Sequence, residues 1–162
     1  MAKMTTFGGP AFEETVSAVT ATPSVDLGSR RMYEGEEFVY CYNAGSDQAI
    51  AGEGVRLVTA ASGYSFTQSG VTDVYNPCVG VVKHATITTG AYGWVMVRGY
   101  QSVEMVSATT ADFLPIALGD AGDFIEAEAE VTTAGTGAPC GLAMNANTGA
   151  GGTVYAFIKT AF

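Results

Sequence analysis

The chain has 162 residues and a net charge of −9; 48% of its residues are hydrophobic and only 14% are charged. This length suits one domain with a sizeable core, and so acidic a chain is repelled by a phosphate backbone, which disfavours nucleic acid as a partner. Soluble globular proteins usually carry about 25% charged residues. We therefore expect a surface rich in small residues or, as the favoured interpretation, one partly covered by neighbouring subunits.

The N-terminal residues and the cysteines indicate the compartment. The N-terminus MAKMTTFGGPAFEE lacks an apolar run of signal-peptide length, and no stretch approaches the roughly 20 apolar residues that span a bilayer. We expect no membrane partner and assembly in a cytosol-like compartment. Cys41, Cys78 and Cys140 are odd in number and widely spaced, which predicts buried free thiols rather than disulfides or zinc ligands.

The first predicted element is an extended N-terminal arm, residues 1–33. It is rich in Gly, Pro, Thr, Ser and Ala, and Pro10 and Pro23 disfavour a continuous helix. Two interpretations remain open for this arm. It becomes ordered on assembly, with Phe7 and Phe12 in an interface, or it is a disordered tail.

Residues 34–162 are predicted to form one all-β domain, a single antiparallel β-sandwich or barrel. Short segments of strand-forming residues alternate there with turns rich in Gly, Asn, Asp and Ser, at the spacing typical of these folds. Besides a long strand around Trp94, the predicted strands are residues 36–42, 55–59, 64–67, 78–83, 112–118, 139–144 and 153–159.

The segment of residues 80–106, GVVKHATITTGAYGWVMVRGYQSVEMV, is the most informative. Its alternation predicts a strand with glycine and valine on one face and larger residues on the other, so that both faces are largely apolar and need to be covered. Arg98 would be uncomfortable in a core, so we expect this face to reach water or a partner near its end. The large residues of the second face are Tyr92, Trp94, Met96, Arg98 and Tyr100.

Two segments near the C-terminus also alternate. In residues 124–131, FIEAEAEV, the glutamates fall on one side, which favours a strand with a wet, acidic face over a helix and is suited to a sheet edge protected by charge. In residues 153–159, two aromatic residues oppose three aliphatic ones. These are Tyr155 and Phe157 against Val154, Ala156 and Ile158.

Residues suited to catalysis or metal binding are scarce, and we predict no catalytic residue, metal site or cofactor. His84 is the only histidine, is predicted to lie within a strand and is accompanied by no GxSxG elbow. The remaining carboxylate groups do not match a calcium loop. Whether two of them form a glycosidase pair depends on their separation in the folded protein, which the sequence does not give. They are Asp120, Asp123 and Glu126 in and after a turn, and Glu34, Glu36 and Glu37 before a strand.

The run of residues 80–100, together with AIAGEGV at residues 49–55, resembles the small head-decoration, or cement, proteins of tailed bacteriophages. The resemblance covers roughly residues 36–162 and is one of pattern and Gly-rich turns. It implies a compact, commonly trimeric β domain on the exterior of the capsid, assembled in the host cytoplasm. The partners it implies are the major capsid protein and further copies of the chain, which together resist the internal DNA pressure.

A second interpretation is a carbohydrate- or receptor-binding β module of a phage head fibre or tail. In that case Tyr92, Trp94 and Tyr100 would form a stacking platform, although core packing is the favoured role of Trp94. An enzyme is the third interpretation. The interface residues expected from the sequence are Phe7, Phe12, Tyr92, Trp94, Arg98 and Tyr100.

Overall fold

The fold is all-β, as the sequence predicts. A computed structural model describes residues 15–58, 63–68, 78–106, 112–119, 121–127, 139–147 and 151–160, and these contain ten strands and no helix. The strands are β1 (Arg30–Tyr33), β2 (Glu36–Asn43), β3 (Gly54–Leu57), β4 (Ser65–Thr67), β5 (Cys78–Val82), β6 (Tyr92–Glu104), β7 (Pro115–Leu118), β8 (Phe124–Glu126), β9 (Gly141–Ala143) and β10 (Thr153–Lys159).

Five of the strands close into a barrel. They follow the order β2, β4, β3, β5 and β6, and β6 pairs with β2 to complete the circle. The pairs are antiparallel except for β2 with β4, where Tyr42 and Asn43 run parallel to Ser65 and Phe66. The predicted barrel is therefore confirmed, with one parallel pair that the antiparallel prediction did not include.

The barrel is filled by side chains. One cluster of buried residues draws on all five barrel strands, which identifies it as the interior. Valine dominates it, since a β-branched side chain packs well on a pleated strand surface, and a barrel of so few strands has no room for a lumen. Its strand members are Val39, Cys41, Val55, Phe66, Val79, Val82, Val95 and Val97.

A second sheet continues from the end of β6. Residues 98–104 of β6 pair with β10, and the sheet goes on through β9 and β7 to β8. A parallel bridge between Met105 and Phe124 brings β8 back to the end of β6. A second buried cluster joins this sheet to the outer side of the barrel, so residues 93–97 of β6 are buried on both faces, as predicted.

The pairing of β6 with β2 contains a β-bulge where β6 passes from the barrel to the second sheet, and a bulged strand bends. Gly99 has φ +152°, and a Cβ at this position would lie 2.8 Å from the sulfur of Met96 and 2.9 Å from the side chain of Glu36. The Glu36 carboxylate accepts a hydrogen bond from the Tyr100 backbone N–H at 3.1 Å. Lys83 Nζ donates to both Glu36 oxygens, at 2.5 and 2.6 Å, and to the Tyr100 carbonyl at 2.8 Å. The Glu36–Lys83 pair thus binds both the backbone N–H and the backbone carbonyl group of Tyr100, and it stabilises the bend through these contacts.

Replacing Lys83 with methionine should lower the free energy of unfolding by about 2 kcal/mol, because the Glu36 carboxylate then stays partly buried without its cation. The side chains of Lys83 and Glu36 are only 21% and 14% exposed, so solvent screens the pair little. Urea denaturation measures the loss. Lys159→Met, at an exposed position of β10, is the matched control and should change stability by less than about 0.5 kcal/mol. Equal losses in the two variants would contradict the role of the pair.

Residues 15–33 lie against the β domain. Val16 and Val25 belong to the buried cluster that joins barrel and second sheet, and Thr20 forms a backbone bridge to Tyr92. β1 pairs with β2, although the sequence analysis places these residues in the arm. The residues RRMY alternate between exposed and half-buried positions, so they contain no row of apolar side chains that would predict a strand. Phe7, Phe12 and the rest of residues 1–14 lie outside the described residues.

The acidic segment of residues 124–131 begins as the predicted strand. β8 covers Phe124–Glu126 and stands at the end of the strand order, as an edge strand does. Phe124 lies on the same side of the strand as Glu126, which is the side predicted to be wet and acidic, but Phe124 is fully buried. The face is therefore apolar where β8 meets the barrel; residues 128–131 lie outside the described residues.

Candidate interaction surface

Three aromatic side chains meet on the outer side of the second sheet. Tyr100 of β6 lies directly opposite Phe157 of β10, with ring centroids 5.0 Å apart. The ring of Tyr155 stacks on that of Tyr100 at 5.6 Å with an interplanar angle of 8°. Tyr100 is 43% exposed and Tyr155 is 52% exposed. The alternate residues of β10 are buried, so a packed strand fixes the position of these rings.

Two cations continue this surface. Arg98 pairs in register with Lys159, one row along from Tyr100 and Phe157, and both are exposed. In the described part of the chain, no ion pair involves either of them. By contrast, Arg30 binds Glu37, and Arg56 is only 8% exposed. We call the surface formed by Arg98, Tyr100, Tyr155, Phe157 and Lys159 the aromatic face.

Polar residues lie beyond the aromatic rings. Ser102 is opposite Tyr155, and Glu104 is opposite Thr153, all at exposed positions. The exposed side of this sheet therefore runs from a pair of cations through stacked rings to hydroxyl groups and the Glu104 carboxylate. These groups are suited to stacking, ion pairing and hydrogen bonding rather than to acid–base or nucleophilic chemistry.

The aromatic residues singled out from the sequence do not form one platform. Trp94 is 3% exposed, with its ring 5.1 Å from that of Tyr40, so it belongs to the core. Tyr92 is half-buried and packs against Tyr40 and Tyr42. Of these three aromatic residues only Tyr100 is exposed, and it lies beyond the bend of β6. Arg98 is exposed near it, as expected for this face of the strand. Sequence reasoning missed Tyr155 and Phe157 as site residues, although the alternation of β10 had separated them from the buried side.

His84 does not lie within a strand, contrary to the prediction, since β5 ends at Val82. Its ring packs against Phe38 at 5.5 Å and edge-on to Tyr33 at 6.0 Å. Partial burial, together with the charge of Lys83, lowers the pKa of His84 below its ordinary value, against the opposing effect of Glu36 and Glu34. His84 itself is exposed, so its ring lies on the outer surface of these two aromatic residues, just beyond the end of β5.

The other candidates for chemistry are held in structural contacts. Glu36 and Glu37 are paired with Lys83 and Arg30, so they are not a free pair of carboxylates. In the described ranges, no group of three or more His, Cys, Asp or Glu side chains is placed to hold a metal ion. Asp120 lies outside those ranges. No helix among the described residues is long and apolar enough to cross a membrane.

The three cysteines are free and buried, as predicted. Burial raises the pKa of the Cys41 thiol to about 12. The pKa of Cys78 is raised by its hydrogen bond with Cys140 and by burial. Because the thiolate is the reactive form of cysteine, the raised pKa values of Cys41 and Cys78 favour a packing role for these two thiols.

Neither a protein-family model nor a curated protein matches the chain. Among solved structures, the chain is similar to the head fibre gp8.5 N base of bacteriophage phi29, with 13% sequence identity and a TM-score of 0.49; the match covers 75% of this chain and 94% of that chain. Similarity of this degree does not carry a function from one protein to another, since unrelated functions occur on the same β architectures.

Proposed function

We propose that this protein is a non-enzymatic virion protein of a tailed bacteriophage: a decoration, or cement, subunit that binds the outer surface of the capsid and stabilises contacts between major capsid proteins. One observation carries the proposal. The two separate stretches that resemble cement proteins, residues 49–55 and 80–100, fold together as one wall of the barrel. Gly54 pairs with Val81, Val55 with Gly80, and a bridge joins Ala49 to Ile87. The resemblance therefore concerns a folded unit rather than scattered residues.

The surface and charge of the chain agree with this role. An exterior protein has no need to contact DNA, so a net charge of −9 is no obstacle. Few charges, together with the exposed side chains of Met32, Ile50, Val106 and Phe113, favour contacts with copies of the chain, for which we propose a trimer, and with the capsid. Many copies then retain one another through individually weak contacts.

We assign attachment to the N-terminal segment, residues 1–14. Val16 already belongs to the core, which sets the limit of a truncation that spares the fold. Deleting residues 1–14 should leave the thermal midpoint of the domain unchanged and should release it from capsids of the phage that encodes it. Sedimentation of capsids with bound protein measures retention. Val16→Ala is the control, because it should lower stability through the lost core contacts yet keep capsid binding below its midpoint.

Two outcomes separate the parts of this proposal. If the truncated protein binds capsids as tightly as the full chain, residues 1–14 are not the attachment segment. If the full chain binds no capsid at all, the cement function itself is wrong. Quantifying the protein in purified particles adds an independent check, because a cement subunit should be present in many copies and a receptor-binding module in few.

A further inference from the structure

We propose that the aromatic face is a binding site for an acidic glycan, in which a sugar ring stacks on Tyr100 and Tyr155 while a carboxylate of the same or the next sugar pairs with Arg98 and Lys159. This site goes beyond capsid attachment, which we assign to another part of the chain. Of the stacking platform predicted from Tyr92, Trp94 and Tyr100, this site keeps only Tyr100.

The tyrosine pair provides a pre-formed stacking surface. The two rings are parallel within 8° and both are about half exposed, so ring area remains open to solvent. Phe157 packs against Tyr100 and restricts its motion. The C–H bonds on one side of a pyranose carry partial positive charge, and the face of an aromatic ring is negative, so the two surfaces attract. Binding to rings that are already ordered costs little conformational entropy.

The charges select an acidic ligand. Arg98 and Lys159 are adjacent, exposed and free of ion pairs in the described part of a chain whose net charge is −9. A guanidinium binds a carboxylate through two parallel hydrogen bonds, which fixes orientation as well as strength. Successive rows on one face of a strand are roughly 7 Å apart, so a short oligosaccharide reaches the cations and the rings together. The hydroxyls of Ser102 and Thr153 extend the same face.

A glycan fits this face better than a second protein does. Aromatic side chains bury about 150–250 Å² each, so the exposed parts of Tyr100 and Tyr155 offer roughly 200 Å². A stable protein interface buries about 800 Å² on each partner, so a protein bound here would have to extend well beyond the aromatic rings. The aromatic area is also bordered by polar side chains, the two cations at one end and Ser102, Thr153 and Glu104 at the other, which suits a polar ligand with one apolar side. Glu104 lies three rows from the cations, so an acidic group of the ligand is directed to the cationic end.

Calorimetric titration of the full chain with a tetramer of galacturonate tests the site. We expect binding that weakens with added salt, and binding of maltotetraose, a neutral sugar, that is at least tenfold weaker. Tyr155→Ala and Arg98→Gln should each weaken galacturonate binding at least tenfold, whereas Tyr155→Trp should retain it. Phe113→Ala is the matched control and should bind as the unchanged chain does, because it removes an exposed aromatic ring outside the aromatic face. Circular dichroism verifies that each variant is folded.

Several results would overturn the assignment. Equal binding of polyglutamate would show that charge alone is recognised, and equal binding of maltotetraose would remove the role of the cations. Failure of the folded full chain to bind galacturonate would exclude the acidic glycan. If Tyr155→Ala instead changed the sedimentation coefficient, the face would be an interface between copies. If it released the protein from capsids, the face would be a capsid contact, and the decoration function would stand without the glycan site.

Discussion

Replacing Gly80 with alanine should destabilise the barrel by about 3 kcal/mol, the upper end of the usual cost of overpacking. A Cβ on Gly80 would lie 2.3 Å from the backbone carbonyl oxygen of Met96 and 2.7 Å from Cγ1 of Val95. The first of these atoms belongs to the β6 backbone, which is hydrogen-bonded to β2 on one side and to β5 on the other. It cannot rotate away as a side chain does. The added methyl group therefore has to push β5 away from β6 and open the barrel.

Gly63→Ala is the matched control, because a Cβ at Gly63 meets nothing within 4 Å. Its free energy of unfolding should stay within about 0.5 kcal/mol of the unchanged protein, or rise slightly, since alanine restricts the unfolded chain more than glycine does. Urea denaturation of both variants measures the difference. If Gly80→Ala were as stable as Gly63→Ala, β5 and β6 would have to lie further apart than in the structure.

Local alternation was sufficient to predict most strands, because burial of one face leaves a period of two in the sequence. β10 has the predicted bounds, Thr153–Lys159, and the predicted separation of aromatic from aliphatic side chains; the structure shows that the aliphatic side is the buried one. β6 was recognised from its two apolar faces, which do lie in two different clusters. β1 was missed because RRMY is only partly buried and its hydrophobic alternation is weak. Its strand conformation depends on backbone pairing with β2, which the local sequence pattern does not show.

Closure of the barrel and the composition of the aromatic face depend on pairings between distant residues. The parallel pair β2 with β4 and the switch of β6 from β2 to β10 are set by long-range registers that no local pattern encodes. Tyr100 and Tyr155 are far apart in sequence and meet only because β6 and β10 pair. Arg98 and Tyr100 were therefore foreseeable as exposed residues, but their partners were not. Trp94 was ambiguous for the same reason, since only the folded structure decides which side of β6 is covered.

The second large effect is expected from Phe124→Ala, which should cost about 3–5 kcal/mol. Phe124 is 0% exposed, and its ring packs directly on the barrel, since a Cβ on Gly54 of β3 would lie 2.7 Å from the ring. Its backbone also carries the bridge to Met105 that returns the second sheet to β6. Truncation therefore removes one of the side chains that join the two parts of the domain at this end.

Phe113→Ala removes the same atoms from a residue that is 61% exposed, so it should shift the free energy of unfolding by less than about 0.5 kcal/mol. Urea denaturation, followed both by far-ultraviolet circular dichroism and by the fluorescence of Trp94, compares the two variants. Because one buried cluster spans barrel and second sheet, the unchanged protein and Phe113→Ala should show coincident transitions. In Phe124→Ala the second sheet should loosen first, which separates the two signals and weakens any binding to the aromatic face. Coincident transitions at unchanged stability in Phe124→Ala would mean that the barrel and the second sheet are held together elsewhere.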